Sequence, residues 1–209
     1  MIWSRKKRFR RGQEAGTLSP GRHHSPGLEL VLGELERADS PSVLDLGPSS
    51  KENLEAFSEL TDDLLIQDCF HRVGVNGQRG EIFDFGAAAD VELPERTEAF
   101  DLILAWDLLH YFSRPEAFRF AGRLEQRLAP GGLILVHAST IVPIPPSPIH
   151  FKLVDRKHLD YELDSGRVPS PEMPIRVVEK MLSGSASVRI FQLRNGLQEF
   201  VLRRGGAPD

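Results

Sequence analysis

The sequence predicts an α/β protein with a doubly wound, mostly parallel β-sheet, helices on both faces and an antiparallel hairpin at its C-terminal end. Three observations predict this class. Short apolar runs bounded by turn residues alternate with segments of helical periodicity, as in folds whose parallel strands are joined by helices. Such crossovers are almost always right-handed, which gives an open sheet. Finally, Asn195-Gly196 separates strand-like runs at 188–194 and 197–203, and this dipeptide typically closes a two-residue hairpin turn.

One domain is expected, flanked by segments without regular structure. The chain has 209 residues, 40% of them hydrophobic, which is enough to bury one core. We expect a disordered basic arm over 1–24, one domain over 25–204 and a disordered tail over 205–209. Because the formal net charge is −4, the arm is interpreted as a solvated segment, with contact to nucleic acid as the alternative. Its basic residues are Arg5, Lys6, Lys7, Arg8, Arg10 and Arg11.

Several function classes are disfavoured by patterns that the sequence lacks. Cys69 is the single cysteine, so no disulfide framework is possible and a reducing, cytoplasmic location is expected. No apolar run reaches the ~18 residues of a membrane span, and no apolar segment follows the basic residues as in a secretory signal. The seven histidines show no metal-ligand spacing, so we expect no metal site. Phosphate-binding G-x-x-x-x-G-K-[ST] and hydrolase G-x-S-x-G motifs are also missing.

Three amphipathic helices are predicted from apolar residues that recur every three or four positions. Ser25 can cap the first helix and Pro26 suits its first position, so that helix should begin there. The three helices cover roughly 26–38, 114–128 and 175–182.

A strand, a tight turn and a helix occur within twenty residues near the start of the domain. The apolar run 42–46 predicts a buried parallel strand that ends at Gly47-Pro48. Ser49 and Glu52 have the spacing of a capping box, which predicts a helix whose N-cap is Ser49. Gly47 lets the backbone turn sharply and approach a ligand closely, and the free N–H groups of the helix could accept a ligand carboxylate.

The other parallel strands end in residues that could contact a ligand. In an open parallel sheet, ligands bind beyond the carboxyl ends of the strands, where the strand order reverses. These strands are predicted at 64–66, 81–83, 100–106 and 133–136. The residues at the ends of the first four strands are therefore the candidates for a binding site: Asp45 to Ser50, Asp68, Asp84 and Phe85, and Trp106 to Tyr111.

Three acidic or aromatic residues could hold a nucleoside. Asp68 follows the second strand, 23 residues after Asp45, and an acid there can accept both hydroxyl hydrogens of a ribose. A helix cap or an exposed loop acid is the alternative. Asp84 and Phe85 end the third strand, where they could bind the amino edge of adenine and cover its face. A loop carboxylate is the alternative for Asp84.

His110 is the candidate for a catalytic base, because histidine exchanges protons near neutral pH. A structural histidine at a strand end is the alternative. The segment 143–174 contains seven prolines and shows no clear periodicity, so we interpret it as an insertion on the substrate side of the sheet.

Four passages together resemble the class I S-adenosylmethionine-dependent methyltransferases. Their order and spacing carry the resemblance, which covers about residues 26–140 and 175–204. The passages are Val43-Leu44-Asp45-Leu46-Gly47, Asp68, the run from Phe100 to Tyr111, and the run from Leu128 to Leu135.

The resemblance implies S-adenosylmethionine as the cofactor and a pose for it. Asp45 and the Gly47-Pro48-Ser49 turn would lie along the methionine portion, and Asp68 would hold the ribose.

The remaining contacts implied by the resemblance lie at adenine and at the sulfonium. Asp84 and Phe85 would border adenine. Trp106 and Asp107 would face the methionine end, where acidic groups favour the positive sulfonium. Because the sulfonium is itself a strong electrophile, much of the rate can come from alignment and exclusion of water, so no catalytic triad is expected.

The resemblance also indicates the class of methyl acceptor. No Asn/Asp-Pro-Pro-Tyr/Phe motif follows the fourth strand, which favours a small molecule over nucleic acid. The family's first motif usually reads acid-x-Gly-x-Gly-x-Gly, whereas here Ser49 and Lys51 replace the second and third glycines. A catalytically silent binding or scaffold protein of the same fold is therefore one alternative. A methyltransferase that acts on nucleic acid through the basic arm is another.

Overall fold

The computed structural model describes residue 18 and residues 20–69, 91–96 and 98–205. The strand predicted at 81–83, the basic residues of the arm, and nearly all of the predicted tail lie outside the described residues. The described helices all fall short of the length and apolarity that crossing a membrane requires.

Six described strands form one twisted sheet. They are β2 (Ser42–Asp45), β3 (Asp63–Ile66), β4 (Phe100–Trp106), β5 (Leu128–Ser139), β8 (Ser185–Gln192) and β9 (Leu197–Arg204), in the spatial order β3-β2-β4-β5-β9-β8. The first four in spatial order are mutually parallel, and β9 runs antiparallel to both of its neighbours. This arrangement confirms the predicted α/β class with a mostly parallel sheet and an antiparallel hairpin at its end.

Among the described residues, four helices and one turn of 3₁₀ helix connect and cover this sheet. They are α1 (Pro26–Leu35), α2 (Lys51–Ser58), the 3₁₀ turn (Leu108–Tyr111), α3 (Arg114–Arg127) and α4 (Ile175–Met181). The chain leaves β2 through α2 toward one edge, and leaves β4 through α3 toward the other. Because right-handed crossovers in opposite directions place their helices on opposite faces, the sheet is doubly wound. The strand order reverses between β2 and β4.

A second, three-stranded sheet draws two of its strands from the segment whose sequence shows no clear periodicity. Its strands are β1 (Gly21–His24), β6 (His150–Asp155) and β7 (His158–Glu162), antiparallel in the order β1-β7-β6. The folded domain therefore begins before residue 25, and residues 21–24 of the predicted arm form a strand. All seven prolines of segment 143–174 flank the β6–β7 hairpin, which contains none.

Two predicted turns differ in their details. The N-cap of α2 is Ser50, whose Oγ accepts the N–H of Asn53, so the predicted Ser49 cap is wrong by one residue. The last hairpin closes with three residues rather than two, because the N–H of Leu193 donates to the carbonyl of Leu197. Gly196 has a φ of +86°, the left-handed conformation that such three-residue loops require.

A buried carboxylate fixes α1 to the sheet. Glu199 on β9 accepts hydrogen bonds from the Oγ of Ser25 (2.5 Å) and the N–H of Gly27 (2.7 Å) at the start of α1. The Nε2 of His137 lies 3.3 Å from the same carboxylate. Burial by itself would raise the pKa of Glu199, but these partners outweigh it and lower the pKa, so the group is a buried anion at a helix N-terminus.

Replacing Glu199 with Ala should lower the free energy of unfolding by about 3 kcal/mol, because Ser25 and Gly27 would lose a charged acceptor inside the core. Urea unfolding followed by circular dichroism measures this change. Gln198→Ala, the neighbouring substitution on the opposite face of β9, should cost less than about 1 kcal/mol. Equal effects of the two substitutions would contradict the anchoring role of Glu199.

Candidate active site

The candidate site, here called the crevice, lies where the strand order reverses between β2 and β4, and in this structure the indole of Trp106 fills much of it. It is built around Asp45, the last residue of β2. Its side chain is fully buried. One carboxylate oxygen, Oδ1, accepts hydrogen bonds from the N–H of Gly47 (2.8 Å) and the Nε1–H of Trp106 (2.6 Å). Its other oxygen, Oδ2, has no hydrogen-bond partner among the described residues. Burial raises the pKa of Asp45 to about 6, although both hydrogen bonds and the amide side chain of Asn53 favour the charged form.

Asp68 lies beside this buried acid, as its predicted position after β3 requires. The N–H of Gln67 donates to the carbonyl of Asp45, and the N–H of Cys69 donates to the carbonyl of Leu46. These two hydrogen bonds hold Asp68 next to the end of β2. The negative charge of Asp68 also contributes to the raised pKa of Asp45. The side chain is half-buried, so it lies near the mouth of the crevice.

Trp106 ends β4 and fills the space between β4 and the Gly47 turn. A Cβ atom placed on Gly47 would lie 2.7 Å from the Nε1 of Trp106, so the indole lies directly against this backbone. Trp106 is 1% exposed and has a φ of +47°, which is rare for a residue with a large side chain. Its ring stacks on Phe151 of β6, with ring centroids 5.1 Å apart, and on His137 of β5 at 5.6 Å.

Asp107 is buried against Ile149, the residue that directly precedes β6. Both of its carboxyl oxygens accept the N–H of Ile149, at 3.1 and 3.2 Å. Burial raises the pKa of Asp107 to about 8, with the Ile149 N–H opposing the rise. Asp107 therefore contacts backbone in the described conformation, and the role next to a sulfonium that the resemblance implies stays a prediction.

His110 is a buried residue with partners on both ring nitrogens. Its Nε2 accepts the N–H of Ser139 (2.8 Å), and its Nδ1 lies 3.0 Å from the Oγ of Ser170. Burial lowers the pKa of His110 to about 4, so the ring is neutral at physiological pH. In this conformation neither nitrogen is open to a substrate proton, and the catalytic role stays a prediction.

The glycine-turn residues have different exposures. Gly47 is buried, Pro48 is half-buried and Ser49 is exposed. Lys51 is directed to solvent, where its Nζ lies 3.4 Å from a carboxylate oxygen of Glu55. The lysine that replaces a family glycine thus places its charge outside the crevice.

The predicted adenine contacts, Asp84 and Phe85, lie outside the described residues, and their roles stay predictions. Within the described ranges, no three His, Cys, Asp or Glu side chains come together in a way that could hold a metal ion.

Residues that the sequence analysis did not single out complete the crevice. Asn53 on α2 is 1% exposed and holds β6 with both ends of its amide. Its Nδ2 donates to the carbonyl of Phe151 (3.2 Å), and its Oδ1 accepts the N–H of Leu153 (2.9 Å). The alternation of apolar and polar residues around Phe151 is typical of a half-buried strand and could have indicated this hairpin.

The residues present fit S-adenosylmethionine in one half of the crevice. Asp68 lies at the mouth, where a ribose could reach its carboxylate. The unpartnered Oδ2 of Asp45 could accept a hydrogen bond from an ammonium group. The indole of Trp106, however, occupies the space over Gly47 that the methionine portion would need, so this half fits only when the indole moves.

Comparisons with solved structures identify the fold. A methyltransferase from Mesorhizobium loti that depends on S-adenosylmethionine is 15% identical to this chain, with a TM-score of 0.52. The match covers 84% of this chain and 96% of that one. CalS10 from Micromonospora echinaspora, an amino pentose methyltransferase solved with bound S-adenosylmethionine, is 14% identical with a TM-score of 0.51, covering 85% and 89%. No protein-family model matches the chain, and no curated protein does.

These likenesses and the strand order define the class. The chain has the fold of the class I S-adenosylmethionine-dependent methyltransferases, as the resemblance predicted.

Replacing Asp107 with Asn should flatten the pH dependence of stability between about pH 6.5 and 8. Asp107 has a folded pKa of about 8 against an ordinary 3.8, so the folded protein holds a proton that the unfolded chain has lost. The free energy of unfolding should therefore fall as the pH rises, by about 1–2 kcal/mol over this window. Two other buried groups make smaller contributions of opposite sign. His110 is neutral when folded but has an ordinary pKa of 6.5 when unfolded, so it opposes the fall near pH 6.5 by less than about 0.5 kcal/mol, whereas Asp45, with a folded pKa of about 6, adds slightly to the fall.

Urea unfolding at the two pH values measures this effect, and in Asp107→Asn the new amide oxygen can still accept the N–H of Ile149. The control is Asp62→Asn at an exposed position, which should keep the wild-type pH dependence. The assignment would be refuted if Asp107→Asn retained the full decline.

Proposed function

We propose that the protein binds S-adenosylmethionine in the crevice between β2 and β4 and transfers its methyl group to a small molecule. One observation carries the proposal. Asp45, Asp68 and Trp106 come from three separate segments, and all three adjoin a single crevice at the reversal point of the strand order. In open α/β sheets, this is the position at which ligands bind.

Each part of the cofactor has a candidate partner in the chain. Asp68 would accept hydrogen bonds from the ribose hydroxyls, and the Oδ2 of Asp45 would face the ammonium group. The backbone of the Gly47 turn would lie along the methionine portion. The adenine contacts of Asp84 and Phe85 remain predictions.

The cofactor supplies an electrophilic methyl group, so the chain needs to position the reactants and exclude water. The cover formed by β1, β6 and β7 suits the exclusion of water, because one face of its hairpin is buried over the crevice. The buried residues of that face are Phe151, Leu153, Leu159 and Tyr161.

A groove next to the crevice suits a small acceptor. It has a volume of about 630 Å³ and begins at Ser139, the last residue of β5. Val142 and Ile175, which line it, are each 39% exposed. Glu172 and Arg176 add one negative and one positive charge to the lining. Pockets for small molecules typically measure roughly 300–1,000 Å³ and have mainly apolar walls. Ser139 is three residues beyond Val136, the partner of Trp106, so the groove starts ~10 Å from the crevice.

A catalytically silent protein of the same fold is the second candidate, and the position of Trp106 favours it. The indole fills the half of the crevice that methionine would need, and its Nε1–H occupies the Oδ1 of Asp45. If this conformation is permanent, the crevice is part of the core and the protein acts through its outer surface.

Replacing Asp68 with Ala should weaken the binding of S-adenosylhomocysteine by about 10- to 100-fold, because two charged hydrogen bonds to the ribose would be lost. Calorimetric titration measures the affinity, and Asp68→Asn should fall between the wild type and Asp68→Ala. Asp62→Ala removes an exposed acid at the opposite end of β3 and should leave the affinity unchanged.

Transfer of a labelled methyl group from S-adenosylmethionine to small-molecule extracts then separates the two candidates. Binding with transfer supports the enzyme, whereas a folded protein that gives no heat of binding at high concentration supports the silent protein. An Asp68→Ala protein that binds as tightly as the wild type would refute the ribose assignment.

A further inference from the structure

The three-stranded sheet of β1, β7 and β6 forms a roof across the crevice, from α1 on one side to α2 on the other. β1 ends at His24 and continues into the N-cap of α1 at Ser25. At the opposite edge, β6 lies against α2. A ligand that enters between β2 and β4 from this side must pass the roof.

The two edges of the roof are attached in different ways. On the α1 side, β1 pairs with β7 along its whole length, and the N–H of Ser25 donates to the carbonyl of Lys157 (2.8 Å). The Nζ of Lys157 also lies 2.7 Å from a carboxylate oxygen of Glu29 on α1. This edge is continuous with α1 and is held by main-chain hydrogen bonds.

On the α2 side, a side chain takes the place of a neighbouring strand. The amide of Asn53 donates to the carbonyl of Phe151 and accepts the N–H of Leu153, as a residue on an adjacent strand would. Breaking these two hydrogen bonds disturbs no strand pair. The α1 edge is therefore suited to be a hinge, and Asn53 is suited to be a latch.

The roof also has two other hydrogen bonds to the main body. The N–H of Ile149, just before β6, donates to Asp107, and the amide of Asn195 donates to the hydroxyl of Tyr161 on β7.

The roof and Trp106 are coupled by ring stacking. Phe151 is 4% exposed, and its ring centroid lies 5.1 Å from that of Trp106 and 4.6 Å from that of His137. If β6 lifts from α2, Phe151 leaves the face of the indole. Trp106 then loses a large part of the packing that holds it in a left-handed backbone conformation.

The closed arrangement leaves two buried polar atoms of the crevice without a hydrogen-bond partner among the described residues. They are the Oδ2 of Asp45 and the Nδ1 of His137, whose side chains both contact the indole. Burying an unpaired polar atom is unfavourable, so a ligand that supplies hydrogen bonds there would favour a rearranged state.

We propose that the roof and Trp106 form a gate over the β2–β4 crevice, with Asn53 as its latch, and that the structure shows the closed state. Opening releases β6 from Asn53, removes Phe151 from the indole and lets Trp106 leave Asp45. The inference rests on the proposed function, because it describes how the adenosyl ligand reaches that same site.

Trp106 is itself the probe for the experiment. The chain has two tryptophans, and Trp3→Phe leaves Trp106 as the single one. In this background, acrylamide quenching of the fluorescence reports the exposure of Trp106 with and without S-adenosylhomocysteine. The variants are Asn53→Ala, which removes the latch, and Glu52→Ala, an exposed control on the same turn of α2.

If Asn53 is the latch of a gate, its loss should strengthen ligand binding. If Asn53 only supports the structure of the site, its loss should weaken ligand binding. Asn53→Ala should increase the quenching of Trp106 without ligand and should tighten the binding of S-adenosylhomocysteine roughly tenfold, because less of the affinity is lost to opening. Glu52→Ala should match the parent protein in both measurements. Should Asn53→Ala fail to fold, Phe151→Leu weakens the stack without touching α2 and should shift both measurements the same way.

The outcomes separate the gate from the proposed function. Unchanged quenching together with weaker, but still measurable, binding in Asn53→Ala would overturn the gate and would not contradict the proposed function. Increased quenching in Asn53→Ala, with no binding of S-adenosylhomocysteine by either protein, would support the gate and overturn the proposed function.

Discussion

The hydrogen bond from the Nε1–H of Trp106 to Asp45 joins the ends of β2 and β4 at the point where the strand order reverses. Both side chains are buried away from water, so the indole N–H and one carboxylate oxygen satisfy each other inside the core. Phe151 and His137 stack on the same indole, and Asn53 fixes the strand that carries Phe151. The glycine turn, the central sheet and the roof therefore all depend on where this one ring lies.

Two buried acidic groups illustrate how the partners of a side chain decide its pKa. Asp45 lies in the crevice, whereas Glu199 lies at the start of α1, next to His137. Glu199 accepts hydrogen bonds at the start of α1, and these lower the pKa of Glu199 despite burial. Asp45 has a neighbouring acid and an unpartnered oxygen, and burial raises its pKa. The arrangement at Glu199 stabilises the fold, whereas the arrangement at Asp45 leaves one carboxylate oxygen without a hydrogen-bond partner among the described residues.

The roof connects stability with access to the crevice. Its α1 edge is anchored by strand pairing, and its α2 edge by the amide side chain of Asn53 together with the hydrogen bond from the N–H of Ile149 to Asp107. Such unequal attachment allows a small β-sheet to move as a unit about its stronger edge, because strand pairs inside it stay intact. The proposed gate would thus combine an apolar cover for the proposed methyl transfer with a route by which a charged cofactor could enter.

The amino-acid sequence alone establishes that the main sheet is formed of strands joined by helices. Strands buried on both faces give continuous apolar runs, and helices buried on one face give apolar residues at every third or fourth position, so both can be recognised locally. The positions of Asp45, Asp68 and Trp106 at strand ends followed from the same pattern. Three contacts arise only in the tertiary structure. The indole of Trp106 lies against Gly47, and Asp107 accepts the backbone N–H of Ile149. The amide of Asn53 forms hydrogen bonds to β6, about a hundred residues further along the chain. Those contacts depend on how distant segments pack against each other, and local periodicity carries no information about such packing.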